Sequence, residues 1–185
     1  MSGGHGHVDT HTGDKRVALL ISILALVLAF SETLGKSAQT LALNANIEAA
    51  NLWAFYQAKT IRQTTLRVAS DAMTAQFANQ TEPMKKQLEA WKKTIERYES
   101  EEDPPEGRKQ LVARVKEVEK RRDRSLAAYH HYELASAAVQ IAIVLASASI
   151  ITSMVALVWG AAGLGLVGVA FCVIGFWFPT QVHLF

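Results

Sequence analysis

Apolar and charged stretches alternate along this chain on a scale that fixes its broad organisation. Val17 to Phe30 reads VALLISILALVLAF, interrupted only by Ser22. A long charged segment follows, and then, from Leu134 to Phe185, come 52 residues without Asp, Glu, Lys or Arg. A helix rises about 1.5 Å per residue, so roughly 20 apolar residues cross a hydrocarbon layer about 30 Å thick. The first stretch reaches that length, at residues 17–35, by taking in Ser31, Glu32, Thr33 and Leu34. The charge-free stretch is long enough for two crossings, expected at 134–159 and 160–178. Their reversal is expected at Gly160-Ala161-Ala162-Gly163, where glycine makes a tight turn easiest. Trp159 at one end and Phe176, Trp177 and Phe178 at the other are placed as interfacial anchors, and Pro179 stops the last helix. No small-x-small cleavage site closely follows the first stretch, which is therefore read as a retained anchor. Residues 1–16 are expected to be a disordered His/Gly-rich tail, and 179–185 a short C-terminal tail.

Residues 36–133 carry 17 of the 19 Lys and Arg and 14 of the 17 Asp and Glu, which marks them as the water-exposed part. Between Lys36 and about Asn79 there is no Gly or Pro. Apolar residues recur there at Ile47, Ala50, Ala54, Ala58, Ile61, Val68 and Ala72, mostly three or four apart, so the first span is expected to continue as one helix. A second helix is expected at about 82–100, with Met84, Leu88, Trp91 and Ile95 on one face. Pro104, Pro105 and Gly107 end it, and helical periodicity returns near Arg108 at Leu111, Val115 and Val118. The pattern predicts an all-α membrane protein with three transmembrane helices and a long helical hairpin or three-helix stalk outside the bilayer.

A stalk of this kind has little core of its own, and apolar positions that its hairpin partner leaves unused need another surface. Leu52, Trp53, Phe55 and Tyr56 are such positions, and Ile47, Trp53, Phe55, Tyr56 and Ile61 are candidates for an interface with a second copy of the chain, since closed homo-oligomers are the common case. The alternative for the aromatics is packing against residues 82–100. In the last span, Gly165 and Gly168 permit close helix approach, within the hairpin or between subunits. Membrane lipid is the other expected partner, and another membrane or cytoplasmic protein remains a candidate.

Polar residues inside the spans are the candidates for chemistry. Glu32 stands near the end of the first span, and Lys36, four residues on, is suited to pair with it. Were several chains to encircle an axis, Glu32 would form a carboxylate ring of the kind that selects cations, with Ser136, Gln140 and Ser147 lining the same path. In Tyr129-His130-His131-Tyr132-Glu133 the neighbouring histidines point about 100° apart on a helix, so they cannot ligate one metal from one face. Anchoring at the headgroup level accounts for that segment, with a pH-responsive role as the alternative. His5, His7 and His11 lie in the tail without a scaffold that would make a metal site.

The overall balance excludes several classes. The chain is 50% hydrophobic and 19% charged, with a formal net charge of +2, which gives no case for nucleic acid. Its single cysteine, Cys172, rules out an internal disulfide framework and a cysteine-based zinc site. No paired catalytic carboxylates, nucleophile–base set or phosphate loop stands out, so neither catalysis nor a cofactor is expected. For orientation, Lys36, Lys116, Lys120, Arg121, Arg122 and Arg124 flank the spans on the stalk side against Lys15 and Arg16 at the other end. Residues 36–133 and the C-terminus are therefore expected in the cytoplasm, and three crossings put the N-terminus opposite.

Lys36-Ser37-Ala38-Gln39-Thr40, then Asn44 and Asn46, then the run Asn51-Leu52-Trp53-Ala54-Phe55-Tyr56-Gln57-Ala58-Lys59-Thr60-Ile61-Arg62-Gln63 resembles a bacterial membrane family catalogued as domain of unknown function 4337. The likeness covers most of the chain and is most specific in that one helix. It implies a bacterial inner-membrane protein and brings no activity, ligand or catalytic residue with it.

Overall fold

A computed structural model describes residues 10–76, 81–101 and 104–182, with side chains described from Lys15 onward. Among the described residues there are four helices and no strand: α1 (Thr10–Gln76), α2 (Glu82–Glu99), α3 (Arg108–Thr152) and α4 (Val155–Trp177). Three of them, α1, α3 and α4, contain stretches long and apolar enough to cross a membrane. The first apolar stretch runs into the stalk helix without a break, as the absence of Pro and the richness in Ala predict. Residues 10–16, expected within a disordered tail, are the first turns of α1. The rest of that tail and the side chains of His5, His7 and His11 lie outside the described residues.

The chain forms two compact units, Met1–Ala42 with Asp123–Phe185, and Leu43–Arg122. In the first, three helical segments alternate in direction. The hydroxyls of Ser31 and Ser136 share a hydrogen bond of 2.8 Å, and Gly35 packs opposite Tyr132, which makes α1 and α3 antiparallel. Gly168 meets Val139 and Gly175 meets His131, so α4 is antiparallel to α3. Leu24, Val139, Ala142, Ala146 and Ala161 form the centre of this unit. Hydrocarbon chains are as apolar as leucine, so burial alone gives such helices little reason to associate in lipid. Close backbone approach at small residues supplies the packing instead.

The reversal between α3 and α4 lies at Ser153-Met154, not at Gly160-Gly163, and α4 accordingly begins at Val155. Ser153 adopts φ 56°, a left-handed conformation that costs a non-glycine residue about 1–2 kcal/mol. Packing imposes this location. Gly160 faces Leu145, Gly168 faces Val139 and Gly175 faces His131, each pair symmetric about residue 153. Gly160, Gly165, Gly168 and Gly175 thus meet a neighbour along α4, Gly163 faces open space, and none of them makes the turn. Trp159 stands within α4, 75% exposed.

In the second unit, Ala45, Ala49 and Leu52 of α1 pack against Leu111, Val115 and Val118 of α3, with Phe55 and Tyr56 alongside. Leu111 and Val115 are fully buried, and burying a side chain of this size from water stabilises by about 1.5–3 kcal/mol. Helix α2 starts with Pro83 in its first turn and has no buried residue. Met84, Leu88, Trp91 and Ile95, its expected apolar face, are all half-buried.

Candidate functional site

The residues of the second unit that carry the family-like run form a polar network. Tyr56, Lys59 and Gln63 fall on one face of α1 through their spacing of three and four. Lys59, 4% exposed, donates to Glu101 Oε2 at 3.0 Å and stands 3.8 Å from Glu106. The rings of Phe55 and Tyr98 lie 5.1 and 5.9 Å from its ammonium. Gln63, 2% exposed, donates to the Ile95 carbonyl at 3.2 Å and to Glu99 at 3.3 Å. Arg108 donates to Gln63 Oε1 (2.5 Å), Glu99 (3.0 Å) and Tyr56 Oη (2.8 Å). Burying such groups is unfavourable unless they are paired, and here the pairing ties α1 to the end of α2 and the start of α3. Sequence reasoning missed these roles because Lys59 and Glu101, like Gln63 and Arg108, are more than forty residues apart. The three-and-four spacing of Tyr56, Lys59 and Gln63 was the available signal.

A different face of α1 in this unit has no partner among the described residues. Ile47, Ala54, Ile61, Val68 and Ala75 recur every seven residues, and all are exposed, Ile47 to 51% and Ile61 to 66%. Ala50, Ala58 and Ala72 flank this stripe and are also exposed. Trp53, 38% exposed, borders the core face, with its ring edge-on to Tyr56 and its indole N–H donating to Glu119 at 3.2 Å. Of the five stalk residues expected at an interface, Ile47 and Ile61 therefore point outward and Trp53 sits at an edge. Phe55 and Tyr56 pack against the α1–α3 core, and Leu52, also expected to need an outside surface, is buried in it.

In the first unit, Gly165 and Gly168, also expected to join subunits, are buried against the chain's own helices. A Cβ on Gly165 would lie 2.5 Å from the Leu24 side chain, and one on Gly168 would lie 2.5 Å from Val139. Ala161, Gly165, Gly168 and Gly175 form the buried seam of α4. Packing within the chain accounts for their burial.

Glu32, Ser136 and Gln140 lie together within the one chain. With Ser31, Gly35, Lys36, Gln39, Tyr129, Tyr132 and Glu133 they line a groove of about 440 Å³ between α1 and α3. Ser147 is not part of it; its exposed hydroxyl donates back to the Ile143 carbonyl. The expected Glu32–Lys36 ion pair is not formed, and among the described residues neither side chain has a hydrogen-bond or ion-pair partner. Both are exposed on the groove, where water competes with an i,i+4 pair worth only about 0.3–0.5 kcal/mol. The neighbouring histidines diverge as helix geometry requires. His130 is exposed, with Nδ1 3.7 Å from Glu133. His131 is 1% exposed, stacked on Phe171 at 6.3 Å, and its Nδ1 has no partner. The turn from His130 carries it onto the α4-facing side, so it packs inside the bundle. Among the described residues no cluster of His, Cys, Asp and Glu has the arrangement of a metal site.

No curated protein and no solved structure matches this chain. A family model does, over residues 13–178, which include α2, α4 and nearly all of α1 along with the whole of α3. The match takes in the polar network around Lys59, the seven-residue stripe and the groove beside Glu32. The chain belongs to the family described as Domain of unknown function (DUF4337).

Proposed function

We propose that this protein is a homo-oligomeric scaffold of the bacterial inner membrane, without catalytic activity, in which copies associate along α1 of the second unit. One observation carries the reading. Apolar residues at 47, 54, 61, 68 and 75 are exposed at a strict seven-residue interval, while a separate face of the same helix already serves the chain's own core. A seven-residue apolar repeat keeps one seam facing a partner helix when two helices supercoil. Ile47, Ile61 and Val68, interspersed with Ala54 and Ala75, give that seam the shape for close pairing. A second copy satisfies it without any further component, and copies anchored through the same spans present α1 in the same direction. The three apolar helices then fix every copy to one membrane, with residues 36–133 and the C-terminus on the cytoplasmic side, where the basic residues 116–124 belong. Lipid covers the exposed collar of Leu19, Ile23, Leu26, Val144 and Leu166. The assembled stalks present a repeated surface on which a membrane or cytoplasmic protein can dock.

Light scattering on the detergent-solubilised full chain tests this. The wild type is expected to run as a multimer, and Ile61→Glu as a species of lower order with unchanged helicity. A monomeric wild type would remove the reading.

A second reading, a small oligomeric cation channel, is favoured by one observation: Glu32 and Gln140 are exposed on the same side of the first unit. It predicts cation flux in reconstituted vesicles that Glu32→Ala abolishes.

A further inference from the structure

The groove beside Glu32 combines carboxylates, a lysine, hydroxyls and amides in one place. We propose that it binds the headgroup of a phospholipid bearing a primary ammonium, with the ammonium held by Glu32 and Glu133 and the phosphate by Lys36. This rests on the reading that the helices of the first unit cross a bilayer.

The depth of the groove is set by the packing. Gly35, Tyr132 and Gly175 meet at one level, and α4 ends two residues later at Trp177, which is exposed along with Phe176. Aromatic residues in such positions mark the boundary between hydrocarbon and headgroups. Glu32 lies within a turn of that level on the inner side, Lys36 just on the outer side, and Glu133 next to Tyr132. Glu32 is exposed on the groove, and among the described residues no cationic side chain pairs with it, so its carboxylate is open to an external ammonium. Lys36, one turn on, lacks an anion in the same way.

The chemistry that answers both is a zwitterion small enough for about 440 Å³. A primary ammonium offers three N–H donors to the two carboxylates through charge-assisted hydrogen bonds, which a trimethylammonium cannot give. A purely anionic headgroup meets two carboxylates against one lysine and is repelled.

The test uses the full-length protein reconstituted in vesicles. Resistance to carbonate extraction first checks insertion. The protein is then extracted in detergent with equal amounts of phosphatidylethanolamine, phosphatidylcholine and phosphatidylglycerol, and retained lipid is read by native mass spectrometry. Phosphatidylethanolamine is expected to dominate, and Glu32→Gln and Lys36→Gln are each expected to lower its retention about tenfold, as loss of a charge-assisted hydrogen bond implies. Leu19→Ala, outside the groove, should leave retention unchanged. Free phosphoethanolamine in millimolar excess should not displace the adduct, which would assign the binding to the intact lipid. Equal retention of the three lipids, preference for phosphatidylglycerol, no adduct at all, or an unchanged Glu32→Gln variant would each overturn the proposal while leaving insertion intact. Release by carbonate would remove the membrane reading and the proposal together.

Discussion

Lys59 can be buried only because Glu101, Glu106 and the rings of Phe55 and Tyr98 surround its ammonium. Lys59→Ala leaves the partly buried Glu101 without its closest partner, and a loss of about 3 kcal/mol is expected from breaking a buried pair on one side. Lys85→Ala, which removes the exposed pair with Glu82, is expected to cost less than about 0.5 kcal/mol. Denaturant unfolding of the two variants side by side checks the difference, and equal losses would contradict it. At Gly168 the limit is space: Gly168→Val drives side-chain atoms into Val139 and the Ala135 carbonyl, with an expected loss of about 1–3 kcal/mol from overpacking. Thermal unfolding in detergent measures it. At this scale the sequence was only partly legible. The apolar character of Leu111 and Val115 announced a core, but nothing in local spacing reveals that Arg108 reaches Gln63 and Tyr56 across the fold.

Among the elements, α2 is held least firmly. It contributes no buried residue, so its opening exposes little apolar surface, and local stability follows buried contacts. Amide hydrogen exchange is therefore expected to be faster across residues 82–99 than across 111–118, and uniform protection would contradict this. Helix identity and most boundaries were readable from Pro and Gly placement and from 3.6-residue periodicity, as at Pro83, Pro104 and Gly107. The α3–α4 reversal was not. A glycine suits both a tight turn and a close helix contact, and only the partner helix decides between them. At Gly165, Gly168 and Gly175 the partner is present, whereas the turn falls to Ser153. The same ambiguity affected the aromatics of α1, where Phe55 and Tyr56 lie one helical step from the exposed stripe but face the core.

For the whole molecule, the proposed three crossings by α1, α3 and α4 predict an N-terminus opposite Arg124 and Gln181. In a Cys172→Ser background, membrane-impermeant thiol labelling should reach Arg124→Cys and Gln181→Cys from one side only, the same side for both. The charge-free C-terminal stretch made the two apolar helices there legible; what their exposed faces meet was less so, because an apolar residue on a helix reads alike whether it meets its own chain or another. The structure separates the two on α1, giving residues 45, 49 and 52 to the internal core and leaving 47, 54, 61 and 68 exposed. Self-association along that exposed stripe is the central claim, and a disulfide scan in native membranes tests it most directly. With Cys172 replaced by Ser, single cysteines at Ile47, Ala54, Ile61 and Val68 are predicted to cross-link each to its own counterpart, as parallel helices in register require, while cysteines at Ala45, Ala49 and Leu52 stay monomeric. Cross-linking absent at all seven positions, or equal at all of them, would contradict the account.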